Sequence, residues 1–181
     1  MEGIYVGLDL SLTGTGVAIL SPGERVTRTV SSKGKTEDPL IVRYVRLHTL
    51  AKKIVDMIPD EAKIAIETPA HNQRSGHHHD RSGLWWMVLD MIYDRHTMRV
   101  VEVSTTTVKK YATGKGNASK MEVMAQQIRQ FPELPIANDN EADALTLALI
   151  VARLNSEPYE ASLPQVNLSA MAVLSQSETA S

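Results

Sequence analysis

Three acidic residues occupy positions in the sequence where together they could bind a divalent cation. Asp9 and Glu67 each follow a short segment, residues 4–8 and 63–66, that alternates with the period of a β-strand. If these strands are parallel neighbours, both carboxylates emerge at the same edge of the sheet, where ligands of α/β proteins commonly bind. Asp143 lies in the first turn of a nearly all-apolar segment, where burying a carboxylate is costly unless it meets a cation or hydrogen-bond donors.

Clustered carboxylates are hard oxygen ligands, which favour Mg²⁺ or Mn²⁺ over zinc. Two such ions about 3.5–4 Å apart would activate a water molecule and stabilise the leaving oxygen in phosphodiester hydrolysis. Each residue also has a simpler explanation: Asp9 and Glu67 could merely begin turns, and Asp143 could complement the dipole at a helix N-terminus. The matching positions of the two strand-ending acids favour the metal-site interpretation.

The elements that must position these acids follow from hydrophobic periodicity and from Gly and Pro breaks. Three strands come first, at residues 4–9, 17–20 and 25–30, and they form an antiparallel meander. Helices and strands then alternate: a helix at 38–58, a strand at 63–67, a polar loop at 68–83, a helix at 84–97, a strand at 99–103, and helices at 104–111, 119–131 and 140–154. The order predicts an α/β fold with a mixed five-stranded sheet flanked by helices.

Composition narrows the class of protein further. The chain has 181 residues, enough for one domain, and we expect this domain to span residues 1–154 and a disordered tail to span 155–181. The absence of cysteine excludes disulfide scaffolds, zinc ribbons and thiol catalysis. Without a long apolar run or a basic, apolar leader, the sequence predicts a cytoplasmic protein with no membrane partner. Of the 19 Lys and Arg residues only Arg153 follows residue 131, so the basic part of the chain could bind a polyanion.

Four segments resemble the motifs of the RuvC-type Holliday-junction resolvases, which belong to the RNase H-like superfamily, and especially the short forms carried by bacteriophages. The segments are GLDLSLTGTG at 7–16, IAIE at 64–67, VKKYATGKGNASKMEV at 108–123 and NEADAL at 140–145. Each motif is weak alone, but four in the correct order and spacing are specific, and the resemblance runs from about residue 3 to residue 154. It implies an RNase H-like fold and a metal-dependent, homodimeric endonuclease that cuts branched DNA, in the cytoplasm of a bacterial host if a phage encodes it.

The resemblance also implies roles for individual residues. Asp9, Glu67 and Asp143 would be metal ligands, binding Mg²⁺ (with Mn²⁺ as a substitute), two ions per site. Lys120 and Lys109 would lie near the scissile or adjacent phosphates, and Lys120 would take part in catalysis. Further candidate DNA-binding residues are the basic ones of the third motif and of the polar loop: Lys110, Lys115, Arg74 and Arg81.

The family usually has one more ligand, Asp or His, three residues before the last acid, and here that position is Asn140. Asp139, a full turn before Asp143, is the predicted substitute, although it could instead cap the helix. Asn140 could ligate through its amide oxygen, and Glu141 is a weaker candidate.

Two further segments have more than one interpretation. The loop at 68–83 contains three consecutive histidines, which suit a flexible polar loop or a DNA-backbone contact better than a zinc site. Trp85 and Trp86 make the next helix apolar around most of its circumference, so part of that helix would pack in the core and part would form a subunit interface.

Three rival functions share some of these features. A nuclease acting on RNA or on an RNA–DNA hybrid would use the same carboxylates without a symmetric dimer. An actin-like or sugar-kinase-like ATPase would use the turn after Asp9 as a phosphate loop, but those folds need two such domains. A branched-DNA-binding protein with weakened catalysis would fit the departure at Asn140.

Overall fold

The computed structural model describes residues 2–35, 37–69, 78–95 and 99–174, and a five-stranded sheet forms its centre. The sheet order is β3-β2-β1-β4-β5, with strands β1 (Tyr5–Asp9), β2 (Gly14–Leu20), β3 (Arg25–Ser31), β4 (Lys63–Glu67) and β5 (Val100–Val103). The first three strands are antiparallel, whereas β4 and β5 run parallel to β1. The predicted α/β architecture with a mixed five-stranded sheet is therefore confirmed.

Helices cover both faces of the sheet because the strands alternate apolar side chains between the two faces. The helices are α1 (Leu40–Val55), α2 (His78–Arg95), α3 (Thr105–Thr113), α4 (Lys120–Gln130), α5 (Asp139–Leu154) and the short α6 (Gln165–Leu168). Val6 and Leu8 of β1 pack with α1 and α2, while Tyr5 of the same strand packs with α3 and α5 on the opposite face. Within the described ranges, no helix is long and apolar enough to cross a membrane.

Helix α5 lies directly on the sheet because two glycines leave room for its backbone. A Cβ atom added at Gly7 would lie closer than 3.0 Å to the backbone oxygen of Ala144, and one added at Gly16 would clash in the same way with the backbone of Asn140. Side chains at these two positions would therefore push the helix away from β1 and β2. This close approach brings the N-terminal turns of α5 beside the end of β1.

The prediction of a loop at 68–83 is wrong for its last residues, because α2 already begins at His78. The first residues of α2 are mostly polar, so the apolar spacing that indicates a helix begins only at Leu84. Asp80 lies in the first turn, where it complements the helix dipole, and it pairs with Arg43 of α1. His77 and Arg74 lie outside the described residues.

The disordered tail predicted from residue 155 is also wrong for residues up to 174. Glu160 is buried and accepts hydrogen bonds from Arg153 and Tyr111, and Asn167 donates to the backbone oxygen of Tyr111. Leu174 reaches the same core as α3 and α5. This C-terminal segment (residues 155–174) has no regular periodicity because it is held by scattered contacts, so its pattern resembled that of a disordered tail.

Candidate active site

A cavity of about 280 Å³ opens at the carboxyl ends of β1 and β4. Its walls combine acidic, basic and hydroxyl side chains: Asp9, Ser11, Glu67, Thr105, Lys120, Asn140 and Arg81, together with Leu10, Thr68, Pro69 and Trp85. Pairing of Leu8 with Ile66 in the parallel ladder places Asp9 and Glu67 on neighbouring strand ends. The sheet edge predicted from the sequence is thus the edge that carries the cavity.

Asp9, Glu67 and Asp143 lie close enough to repel one another. Burial raises the pKa of Asp9 to about 8, with further contributions from the charges of Glu67 and Asp143. Burial and the charge of Glu67 also raise the pKa of Asp143 to about 7, and burial raises the pKa of Glu67. A cation at this place would remove the repulsion and favour the ionised carboxylates.

Glu67 is held in place by two residues that the sequence reasoning missed. The Thr105 hydroxyl donates a hydrogen bond of 2.6 Å to the Glu67 carboxylate, and the indole N–H of Trp85 donates to the Glu67 backbone oxygen at 3.1 Å. A run of Ser and Thr residues opens α3. Its position directly after β5, the strand beside β4, was the available signal for a contact with Glu67.

Lys120 is the basic residue that forms ion pairs with the acids at the start of α5. Its Nζ lies 2.8 Å from a carboxylate oxygen of Asp139 and 4.0 Å from one of Asp143. Burial by itself lowers the pKa of Lys120, but the bond to Asp139 and the charge of Asp9 more than offset this and raise it. The lysine therefore stays protonated beside the cavity.

Asp139 and Asn140 occupy different places at the start of α5. The bond to Lys120 lowers the pKa of Asp139, whose side chain is 38% exposed, and Asp139 is absent from the described residues that line the cavity. Asn140 lines the cavity, and its backbone lies against Gly16 of β2. The helix cap itself is Asn138, whose side chain accepts a hydrogen bond from the Glu141 N–H.

Glu141, the weaker candidate for a ligand, points away from the cavity towards β3. Its buried carboxylate accepts hydrogen bonds from Thr27 (3.2 Å), from Thr29 (2.7 Å) and from the backbone N–H of Ala137 (2.9 Å). This network ties the first turn of α5 to the sheet. Sequence patterns do not indicate this network, because Thr27 and Thr29 are more than 100 residues away from Glu141 along the chain.

The predicted DNA-binding residues are divided between the cavity and its surroundings. Arg81 lines the cavity, and the charge of Lys109 lowers the pKa of Glu67 and Asp143 and therefore acts on the same cluster. Lys110 is half-buried on α3, and Lys115 lies on the exposed turn after α3, 4.0 Å from Glu122.

The donor set fits hard divalent cations, although the side chains do not form a finished site. In the part of the chain that the structure describes, no three His, Cys, Asp or Glu side chains are arranged to hold an ion directly. Asp9 and Glu67 nevertheless line one cavity, the charge of Asp143 acts on Asp9, and burial raises the pKa of all three acids. Carboxylate oxygens, the Asn140 amide oxygen and water are the ligands that Mg²⁺ accepts.

Solved structures with the same architecture come from Thermus thermophilus. The chain matches a T. thermophilus RuvC structure with a TM-score of 0.59 and 20% identity, covering 85% of this chain and 97% of that one. It matches T. thermophilus RuvC in complex with a Holliday junction substrate with a TM-score of 0.60 and 18% identity, covering 87% and 99%. At these identities the likeness shows a shared fold.

Similarity in sequence is higher to curated relatives. Over 168 residues the chain is 30% identical to the crossover junction endodeoxyribonuclease RuvC of Chlamydia trachomatis serovar L2, covering 88% of this chain and 96% of the relative. RuvC of Chlamydia caviae is 27% identical over 164 residues, covering 86% and 96%. No family model matches the chain. The identity to full-length relatives is sufficient to assign the family: this chain belongs to the RuvC crossover junction endodeoxyribonucleases.

Proposed function

We propose that this protein is a structure-selective endonuclease that hydrolyses DNA phosphodiesters at Holliday junctions. The observation that carries the proposal is the buried cluster of Asp9, Glu67 and Asp143 beside Lys120, at the sheet edge where α/β proteins bind ligands. The RuvC relatives support DNA as the substrate. Other branched DNA would be a second substrate class.

The three acids and Asn140 would hold the metal, which we propose to be two Mg²⁺ ions, with Mn²⁺ as a substitute. Bound ions of this kind activate water and stabilise a leaving oxygen during phosphodiester hydrolysis. Thr105 and Trp85 keep Glu67 in position for this task. Asp139 would hold the Lys120 ammonium rather than a metal ion, because its carboxylate lies at hydrogen-bonding distance from that group.

Lys120 would neutralise the phosphate at the cleavage position. A protonated amine beside a carboxylate cluster is a mobile point charge that suits a phosphate oxygen. Arg81, on the cavity wall, and Lys109 would bind adjacent phosphates, while Lys110, Lys115 and Arg74 would contact DNA farther from the cut.

We also propose a homodimer that buries the outer face of α1 and α2. Several large apolar side chains on these two helices are exposed, from Tyr93 at 57% to Leu40 at 78%: Leu40, Ile41, Trp86 and Tyr93. Exposed apolar surface of this kind is typical of protein interfaces. Sedimentation of Tyr93→Glu should show a shift towards monomer at concentrations where the wild type is dimeric. An unchanged distribution would place the interface elsewhere.

The test is cleavage of a labelled four-way junction with Mg²⁺, compared with a flap, a linear duplex and an RNA–DNA hybrid. Asp9→Asn should reduce the rate at least about 10³-fold, because it removes a ligand needed only for the chemical step, while junction binding persists. Glu24→Gln, an exposed acid in the turn between β2 and β3, is the matched control and should cleave normally.

Two results would contradict the proposal. Preferred cleavage of the hybrid would indicate a nuclease acting on RNA. Tight junction binding by the wild type without cleavage would indicate a branched-DNA-binding protein, a reading favoured by the neutral Asn140 on the cavity wall.

A further inference from the structure

Three cavities lie in a row from the carboxylate cluster towards the edge of the sheet formed by β3 and α1. The first, which contains Asp9, shares Ser11 and Arg81 with a second of about 150 Å³. The second shares Arg46 with a third, of about 490 Å³, between the end of β3 and α1. Shared walls make the three cavities one groove that begins at the proposed cleavage position.

The charge along this groove changes sign after the first cavity. The second and third cavities are lined by Arg81, Arg46, Lys33 and Lys53, and no acidic side chain is present among the described residues that line them. Neutral hydroxyl groups, including Ser11 and Thr13, make up much of the remaining polar wall. A groove with this composition attracts a chain of phosphates.

Arg46, at the centre of the groove, is oriented by neutral oxygens rather than by a carboxylate. Its Nε donates to the Ser32 hydroxyl at 3.0 Å and its Nη2 donates to the Leu12 backbone oxygen at 2.6 Å. Within the described residues no ion pair includes Arg46. Two hydrogen bonds therefore fix the guanidinium plane, and no carboxylate of the described residues forms an ion pair with it.

Gly34 completes the fit around this guanidinium. A Cβ atom at position 34 would approach the Arg46 side chain to within less than 3.0 Å, so glycine lets the chain after β3 pass directly beside it. The Arg46 guanidinium is therefore oriented before an oxyanion binds to it. An oriented guanidinium can donate two parallel hydrogen bonds to a phosphate, which a flexible lysine side chain cannot do.

We propose that Arg46 forms a subsite for a backbone phosphate of the DNA strand that leaves the cleavage centre across β3 and α1. This proposal rests on the proposed function, since it assumes that the DNA strand is cut at the carboxylate cluster, which lies at one end of the groove. Arg81 would bind the phosphate between this subsite and the cut, because it lines both the first and the second cavity. Lys33 and Lys53 would contact the strand beyond Arg46.

The test measures how the affinity for a four-way junction depends on salt. The full chain carrying Asp9→Asn, which binds without cutting, is compared with the same chain carrying Arg46→Gln. Loss of one phosphate contact lowers the slope of log Kd against log salt by about 0.9. The affinity lost between 50 and 200 mM salt then becomes smaller by about 3.5-fold.

Arg129→Ala is the matched control, because Arg129 is an exposed arginine at the far end of α4. It should leave the slope unchanged. Thermal unfolding of Arg46→Gln and of Arg46→Lys separates a folding defect from a binding defect. Arg46→Lys should keep the salt slope of the wild-type residue but bind the junction more weakly. A role confined to holding Leu12 and Ser32 in place would lower stability without changing the slope.

The outcomes separate the subsite from the proposed function. If Arg46→Gln leaves both the salt slope and the affinity unchanged, the subsite proposal is wrong. The proposed function would still stand if the wild type cleaves the junction. If the wild type instead binds linear duplex as tightly as the junction and cuts neither, the proposed function fails. A lower slope for Arg46→Gln on that duplex would still support a phosphate subsite.

Discussion

At the scale of single residues, the acidic cluster has a direct consequence for stability. Without metal, the folded protein holds the pKa of Asp9 at about 8 and that of Asp143 at about 7, whereas the ordinary value is 3.8. Between these values the folded state binds more protons than the unfolded state, so the free energy of unfolding falls as pH rises. The loss should be complete once the pH passes the folded pKa values.

This prediction is checked by urea unfolding at pH 5, 6, 7 and 8 in the presence of a chelator. The wild type should lose stability steadily across this range, and Asp9→Asn should show a clearly shallower dependence. Added Mg²⁺ should restore stability at pH 8, because it binds the ionised carboxylates of the folded state. Equal slopes for wild type and Asp9→Asn would show that Asp9 titrates normally.

The neighbouring residues Asp139 and Asn140 give a second prediction at this scale. Asn140→Asp should tighten Mn²⁺ binding roughly tenfold, because it adds a carboxylate on the cavity wall. Asp139→Asn should change metal affinity little, since that carboxylate already bonds to Lys120. Calorimetric titration of the protein with Mn²⁺ alone measures both. A large loss of affinity in Asp139→Asn would instead make Asp139 the ligand.

At the scale of elements, the decisive contact is that between α5 and the central strands. Asp143 lies close to Asp9 only because α5 lies on β1, and this contact depends on Gly7. The buried network around Glu141 holds the same end of the helix to β3. Fold and site therefore depend on the same packing.

Gly7→Ala should destabilise the protein by about 3 kcal/mol, because its methyl group would overlap the backbone of α5 and force the helix outward. Metal affinity should fall as well, since Asp143 would move with the helix. Gly23→Ala is the control, because a Cβ atom at that position would meet nothing within 4 Å. Chemical denaturation and Mn²⁺ titration of both variants test this, and a stable Gly7→Ala would mean that α5 can shift at little cost.

At the scale of the whole molecule, the C-terminal segment belongs to the folded domain. Arg153 and Glu160 form an ion pair of 2.9 Å in which the Glu160 side chain is fully buried. Tyr111 of α3 donates a hydrogen bond to the same carboxylate. The segment therefore supports α3, the helix that carries Lys109 and Lys110.

Truncation after residue 154 should lower the free energy of unfolding by about 3–5 kcal/mol, because it leaves Arg153 without its buried partner and uncovers part of the core. Truncation after residue 174 keeps every one of these contacts and should cost much less. Thermal and urea unfolding of the two truncated proteins would decide. Equal stability of the 1–154 protein and the full chain would contradict the role assigned to the segment.

The fold was largely predictable because its elements are defined by local patterns. The alternation in β4 and the four-residue spacing in α1 both led to the observed elements. The start of α2 at His78 was missed because its first turn is polar, and the C-terminal segment was missed because its contacts are not periodic. Hydrophobic periodicity identifies an element that has one apolar face, and neither the first turn of α2 nor the C-terminal segment has a regular apolar face.

The candidate site was predictable in part, for a similar reason. Asp9 and Glu67 could be paired because each ends its strand, on the condition that the two strands are parallel neighbours, as they are in the sheet. The prediction of Asp139 rather than Asn140 as a ligand had no local pattern to support it, since adjacent residues of a helix point about 100° apart and only the direction of α5 decides which one faces the cavity. The contacts of Thr105, Arg46 and Glu141 join segments far apart in the chain, so only the structure shows them.

The sequence alone determined the order of strands and helices, the ends of the strands that carry carboxylates, and the four motifs of the resemblance. These properties depend on neighbours within a few positions, so hydrophobic pattern and motif spacing record them. Only the tertiary structure decided that α5 lies directly on β1, that Lys120 bonds to Asp139, and that Arg46 lines a groove leading from the acids. Such contacts join residues far apart in the chain, and their geometry depends on how whole elements pack.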